Sequence, residues 1–204
     1  MFGWFGRKSP PPFPEARTFN EPDLIRRISE LPELSRVAFA AACASRMTKG
    51  FQDARRGLHL PDFLGLETAL SDLWSFALGG PGRDWVALSE QLIAEIPHED
   101  KMDTAAHAVI DNALAAAAYA VSTAISFEAR QAAFCARRAY EAMDGHAHEA
   151  LDFTIYTPEI EQALLKHPIV QQELGRQARD LGELEGVGSV AQLRARVGSE
   201  SAFG

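Results

Sequence analysis

The sequence predicts an all-α protein, a compact orthogonal or up-and-down bundle of about seven to nine helices with no sheet. Three observations predict it. Helix-start signals recur, with a proline followed at once by an acid at Pro22-Asp23, Pro32-Glu33, Pro61-Asp62 and Pro158-Glu159. Proline suits the first helical turn, where its missing N–H would be unpaired anyway, and the acid meets the positive end of the helix dipole. Apolar residues recur at three- and four-residue spacing through most of the chain, and no stretch alternates in the two-residue period of a strand. No fixed-period repeat is present, which argues against a solenoid.

The elements follow in order. A short helix is expected over about 22–30, with Ile25 and Ile28 inward, and a longer one over about 32–48, with Leu34, Val37 and Ala41 on its apolar side. Residues 62–78 place Phe63, Leu66, Leu70, Leu73, Trp74 and Ala77 on one stripe, and Gly79-Gly80-Pro81 ends it. Residues 84–96 bury Trp85, Leu88, Leu92 and Ile96 ahead of Pro97. Asp103 is a candidate cap for an Ala-rich helix to Val121 or beyond, and Ser126 for the next, to about Met143. Alanine lets helix backbones approach closely, so these two are expected at the centre. His146 to Phe153 adds a helical turn or two, and helices over 158–166 and 168–184 follow, the first capped by Thr157. The tail from Ser189 holds at most one short helix.

At 204 residues, 47% of them hydrophobic and 24% charged, the chain suits one domain with one sizeable core. The expected division is a Pro-rich leader at 1–20, a single helical domain at 21–186 and a loosely ordered tail at 187–204. The leader reads MFGWFGRKSPPPFPEARTF, and its prolines favour polyproline II. Phe2, Trp4 and Phe5 beside Arg7 and Lys8 suit a membrane interface or an acidic groove, against the plainer reading of a leader that folds back on its own domain. No secretory signal is read at the N-terminus, so a cytoplasmic location is expected. Cys43 and Cys135 each lie in an apolar helical pattern and read as small core residues rather than a disulfide framework.

The net charge is −8. Residues 1–60 carry 10 Lys+Arg against 6 Asp+Glu, and residues 61–204 carry 10 against 22. An acidic body disfavours nucleic acid as a partner, and a protein partner is expected instead.

Few residues suggest chemistry. His146, His148, Glu149 and Asp152 are metal-ligand types, but on a helix His146 faces Glu149 and His148 faces Asp152, so the histidines diverge. A polar helix end is the competing reading, and no metal or cofactor is expected. His107 and Asp111 stand four apart and share a helix face, which suits an acid–base couple, half a metal site or the polar wall of a pocket. The plainer reading is one carboxylate orienting one imidazole. Asp111 lies between Ile110 and Leu114, and Arg46 ends the apolar run 37–44. A buried carboxylate needs a partner, and a guanidinium fork matches it. Arg46 and Asp111 are therefore expected to meet inside the bundle, unless Asp111 faces solvent. No nucleophile elbow or phosphate-binding glycine loop is present, and no catalytic residue is assigned.

The stretch FAAACASRM at Phe39–Met47, then Trp74, Ile96-Pro97, AVIDNAL around Asp111 and HPIVQQEL from His167 to Leu174 resemble, in that order, the YjaG-like family of bacterial proteins of unknown function. The resemblance spans about residues 30–185. It implies an all-α fold, assigns no catalytic residues, and points loosely to signalling with histidine kinases. The leading functional expectation is a non-enzymatic interaction protein or regulatory adaptor. The alternative is a small-ligand binder or enzyme with a core pocket near His107 and Asp111. Phosphotransfer through His148 is a third reading, supported only by the His148-Glu149 pair.

Overall fold

The computed structural model describes residues 16–97, 104–151, 157–186 and 188–200. Among them the protein is wholly helical, without a strand. α1 (Glu21–Ser29) opens as expected: Pro22 sits in the first turn, and the Asn20 side chain accepts from Asp23 N at 3.1 Å. α2 (Glu33–Ser45) starts directly after Pro32 and is buried without interruption from Val37 to Ala44.

The helix expected over 32–48 is α2, ending three residues early, and a further helix not expected from the sequence follows it. The helix is interrupted by a turn at Arg46 and Met47, where Met47 N bonds to Ala44 O at 3.0 Å, and α3 (Thr48–Gly57) begins directly after it. Only Gly50, Phe51 and Arg55 are buried in α3. So sparse an apolar pattern explains why its periodicity is not legible in the sequence.

α4 (Gly65–Ala77) begins later than Pro61-Asp62 suggests. Arg55 donates to the Pro61 carbonyl from both Nε, at 3.1 Å, and Nη2, at 2.7 Å. That carbonyl serves a guanidinium instead of an intrahelical N–H, and residues 61–64 remain a connection. α4 ends in a Schellman turn: Gly80 N bonds to Ser75 O and Gly79 N to Phe76 O, each at 2.9 Å, with Gly79 at φ +87°. α5 (Trp85–Ala94) follows, capped by Asp84, which accepts from Ala87 N at 3.0 Å.

The centre is α6 (Ala105–Ser126) against α7 (Ala129–Leu151), as the alanine content predicts. Ala113, Ala116, Ala117 and Ala120 on α6, and Ala132, Ala133, Ala136 and Ala139 on α7, are all buried. Thr104 caps α6, accepting from His107 N at 3.3 Å, whereas Asp103 lies outside the described residues. α6 is long and apolar enough to cross a membrane, but 61% of that apolar stretch is buried against its neighbours, as in the core helix of a bundle. The α6–α7 corner is made by Phe127 at φ +54°, with Ser126 Oγ accepting from Glu128 N at 3.2 Å. α7 runs straight through to Leu151, absorbing the helical turn expected at His146.

α8 (Pro158–Leu165) and α9 (Pro168–Glu185) follow the expected bounds closely, and Thr157 caps α8. The C-terminal segment is better built than a loose tail. α10 (Val190–Val197) carries a capping box from Ser189 and Gln192, and it buries Leu193 and Val197 against α2 and α9.

α2 packs across both central helices, with α3, α4 and α5 on the α6 side and α1, α8 and α9 on the α7 side. At the other end, residues 17–20 are tied to the body. Gln171 accepts from Arg17 N and donates to Arg17 O, both at 2.8 Å, and Phe19 stacks on Tyr140 at 5.2 Å.

Candidate functional site

Arg46 is fully buried, but its partners are on α9 rather than α6. Its Nε and Nη2 grip Glu173 at 3.1 and 3.0 Å, and Nη1 reaches Asp180 at 2.6 Å. The expected Arg46–Asp111 pair is thereby corrected. Asp111 lies on α6 within 3.6 Å of Arg138 on α7, partly exposed. Burial nevertheless pushes the Asp111 carboxyl above its ordinary range, with Arg138 opposing and Glu141 adding to the rise.

The signal for the true partners is legible in hindsight. Glu173, Gln177 and Asp180 stand at i, i+4 and i+7 on the same side of α9 as Val170, Leu174 and Leu181. Gln177 Nε2 bridges Glu173 Oε1 at 2.9 Å to the Ala136 carbonyl at 3.0 Å. The second Asp180 oxygen accepts from Arg196 on α10 at 2.8 Å, and Arg196 also reaches Glu183 at 2.5 Å. This is a closed polar network in which the acids meet donors and Arg46 is fully engaged. It holds α2, α9 and α10 together. Cys43 and Cys135 lie beside it, both fully buried, with thiols pushed up by burial.

The other candidates do not assemble. His107 is held at the first turn of α6, with Nδ1 2.9 Å from Thr104 Oγ1. His146, His148 and Glu149 follow one another along α7, and Asp152 lies outside the described residues. Among the described residues, no group of three or more His, Cys, Asp or Glu is placed to hold a metal ion.

A cleft of about 350 Å³ between α6 and α7 is lined by Asn112, Glu141, His146 and Glu149 over a floor of alanines, and neither His107 nor Asp111 lines it. Residues 18–20 separate two more. One, of about 250 Å³, lies against α1 and α9. The other, of about 760 Å³, lies against α7 and α8 and carries Glu21, Glu141, Asp144 and Glu161 over the Phe19–Tyr140 stack. Burial raises the Asp144 carboxyl, and Glu141 and Glu161 add to the rise against the opposing charge of His148.

The surface feature that sequence reasoning missed is the outer side of α4 and α5. The two helices form an antiparallel hairpin. Phe76 near the end of α4 packs on Trp85 at the start of α5, 5.4 Å between ring centres. At the far end Arg55 binds both the Pro61 carbonyl and Glu95, the latter at 3.2 Å. While Trp85, Leu88 and Leu92 turn inward, Val86 and Ile93 stand 58% and 55% exposed together on one flank of α5. α4 and its two flanking residues expose Leu64, Thr68, Ser71, Ser75 and Leu78 on one stripe, with exposed Glu67 at its edge. Among the described residues, five of the six exposed large apolar side chains lie between Leu60 and Ile93.

No family model and no curated protein matches this sequence. Among solved structures, the fold is similar to that of a DUF416 family protein from Shewanella baltica OS155, with a TM-score of 0.77 over 88% of this chain and 96% of that one, at 16% identity. The likeness extends over nearly the whole helical body and places the protein with a fold found in a bacterial family of unknown function.

Proposed function

We propose that the protein is a non-enzymatic interaction protein, a regulatory or signalling adaptor of the cytoplasm, whose docking face is the outer side of the α4–α5 hairpin. The observation that carries this reading is the concentration of exposed apolar side chains there, on helices already committed to the core by their other sides. The α4 stripe joins Leu64 to Leu78 through the small side chains Thr68, Ser71 and Ser75, with Glu67 at its edge. Exposed apolar residues scattered singly need no explanation, whereas their gathering on one hairpin does.

The YjaG-like assignment belongs to the same reading. Its motifs fall on α2, α4, the segment just past α5, α6 and α9, all of which contribute buried side chains to the core except the segment past α5, and this accounts for their apolar character. The test is affinity capture with the wild-type chain and a Val86→Asp, Ile93→Asp variant. Both side chains are exposed, so the helical circular-dichroism spectrum and melting temperature should hold while a wild-type partner is lost. An unchanged set of captured proteins would defeat the reading.

The α6–α7 cleft favours a second reading, a small-ligand binder contacting His146 and Glu149. A thermal-shift screen in which no compound separates wild type from His146→Ala would dismiss it.

A further inference from the structure

We propose that the partner received by the α4–α5 face is a basic amphipathic helix of another protein; this rests on the docking face inferred above. The apolar positions describe a two-helix surface of limited length. Leu64 and Ile93 lie toward one end, where Arg55 joins Pro61 to Glu95, and Leu78 and Val86 lie toward the other, where Phe76 meets Trp85. α4 is 13 residues long, or about 20 Å at the helical rise of 1.5 Å per residue. That matches a helix of three to four turns, whose i, i+3, i+4 and i+7 apolar positions would fall along Val86, Ile93 and the two ends of the α4 stripe.

Charge decides which helix. Residues 61–97 hold six acids and one arginine. Arg83 is spent on Asp72, and Arg55, from α3, on Glu95. Among the described residues, Asp62 and Glu90 have no basic partner, and Glu90 lies between Val86 and Ile93 on the exposed side of α5. Unneutralised carboxylates thus stand among the apolar positions, Glu90 between the two on α5 and Asp62 ahead of Leu64. A second copy of this chain would bring the same carboxylates against them, at a net charge of −8 per copy. An anionic membrane would be repelled in the same way. A helix with leucine-type residues on one side and Lys or Arg flanking them satisfies both features of the surface, and its association would be steered by the acidic field.

The test uses the full chain and two synthetic helical peptides of about 14 residues, patterned alike, one Leu/Lys and the other Leu/Glu. Calorimetric titration should show saturable binding of the Leu/Lys peptide only, weakening as salt is raised. Amide chemical shifts should move on α4 and α5. Val86→Asp with Ile93→Asp should weaken binding at least about tenfold, and Glu90→Lys about fivefold. Equal binding of the Leu/Glu peptide, shifts confined to the acidic α7–α8 cleft, or no binding of either peptide would overturn the proposal. Sedimentation distinguishes the nature of the partner from the existence of the docking face. Concentration-dependent dimers abolished by Val86→Asp with Ile93→Asp would overturn the basic partner while retaining the docking face. If that double variant changes neither peptide binding, self-association nor the set of captured proteins, the docking face itself fails.

Discussion

Arg46 Nη1 stands 2.6 Å from Asp180 Oδ2 with neither side chain reaching solvent, and the other Asp180 oxygen holds Arg196 at 2.8 Å. One carboxylate thus joins a cation at the end of α2 to a cation on α10. Removing the buried cation alone leaves Glu173 and Asp180 charged in the core. Arg46→Met should therefore destabilise the fold by about 3–5 kcal/mol. Adding Glu173→Leu and Asp180→Leu should recover most of that loss, because the desolvation cost of the acids disappears with their charge. Urea unfolding of the single and triple variants checks both statements; equal midpoints for wild type and Arg46→Met would contradict the account.

Asp111 gives a pH signature of opposite sign to a salt-bridged acid. Burial is the largest cause, and it raises the native carboxyl above its ordinary range despite Arg138. The native state then binds more protons than the unfolded chain in the window above the unfolded value. Stability contributed by this group falls as pH rises through that window. Asp111→Asn removes the effect. Its stability relative to wild type should increase from pH 3 to pH 7, read as the difference in urea midpoints at each pH. A difference that shrinks or stays constant would mean that Arg138 outweighs burial.

The two thiols predict a labelling pattern. Cys43 and Cys135 are fully buried, and burial raises both thiols, which suppresses the reactive thiolate. An aromatic disulfide reagent at pH 8 should leave both unmodified in the folded protein and modify both in urea. Fast labelling of either in the folded state would show that the core around Arg46 opens readily.

Two glycines should respond oppositely to alanine. Gly79 sits at φ +87° in the turn ending α4, so Gly79→Ala should cost about 1–2 kcal/mol. Gly175 is inside α9, where an added Cβ meets no atom within 4 Å, so Gly175→Ala should stabilise by about 0.5–1 kcal/mol. Thermal melts of the two variants should move in opposite directions.

The helical class, most element bounds and the central position of the Ala-rich pair were written in local features: Pro22 and Thr157 at helix starts, Gly79-Gly80 at a helix end, small residues on α6 and α7. Each works over one or two turns of chain, so the sequence by itself determines it. That Arg46 required a buried acid was equally legible, because the apolar run leading to it leaves its charge no other recourse.

Which acid answers it was not. Asp111 and Asp180 both lie in apolar helical surroundings, and only the packing of α9 rather than α6 over Arg46 selects Asp180 and Glu173. The fate of Pro61 was settled the same way, by an arginine reaching its carbonyl from α3. Tertiary structure also decided that Val86 and Ile93 remain uncovered, since periodicity marks them as apolar without saying whether a neighbour arrives. The physical reason is common to all three. Local sequence fixes what a segment must bury or pair, whereas the identity of the partner depends on helices brought together from far along the chain.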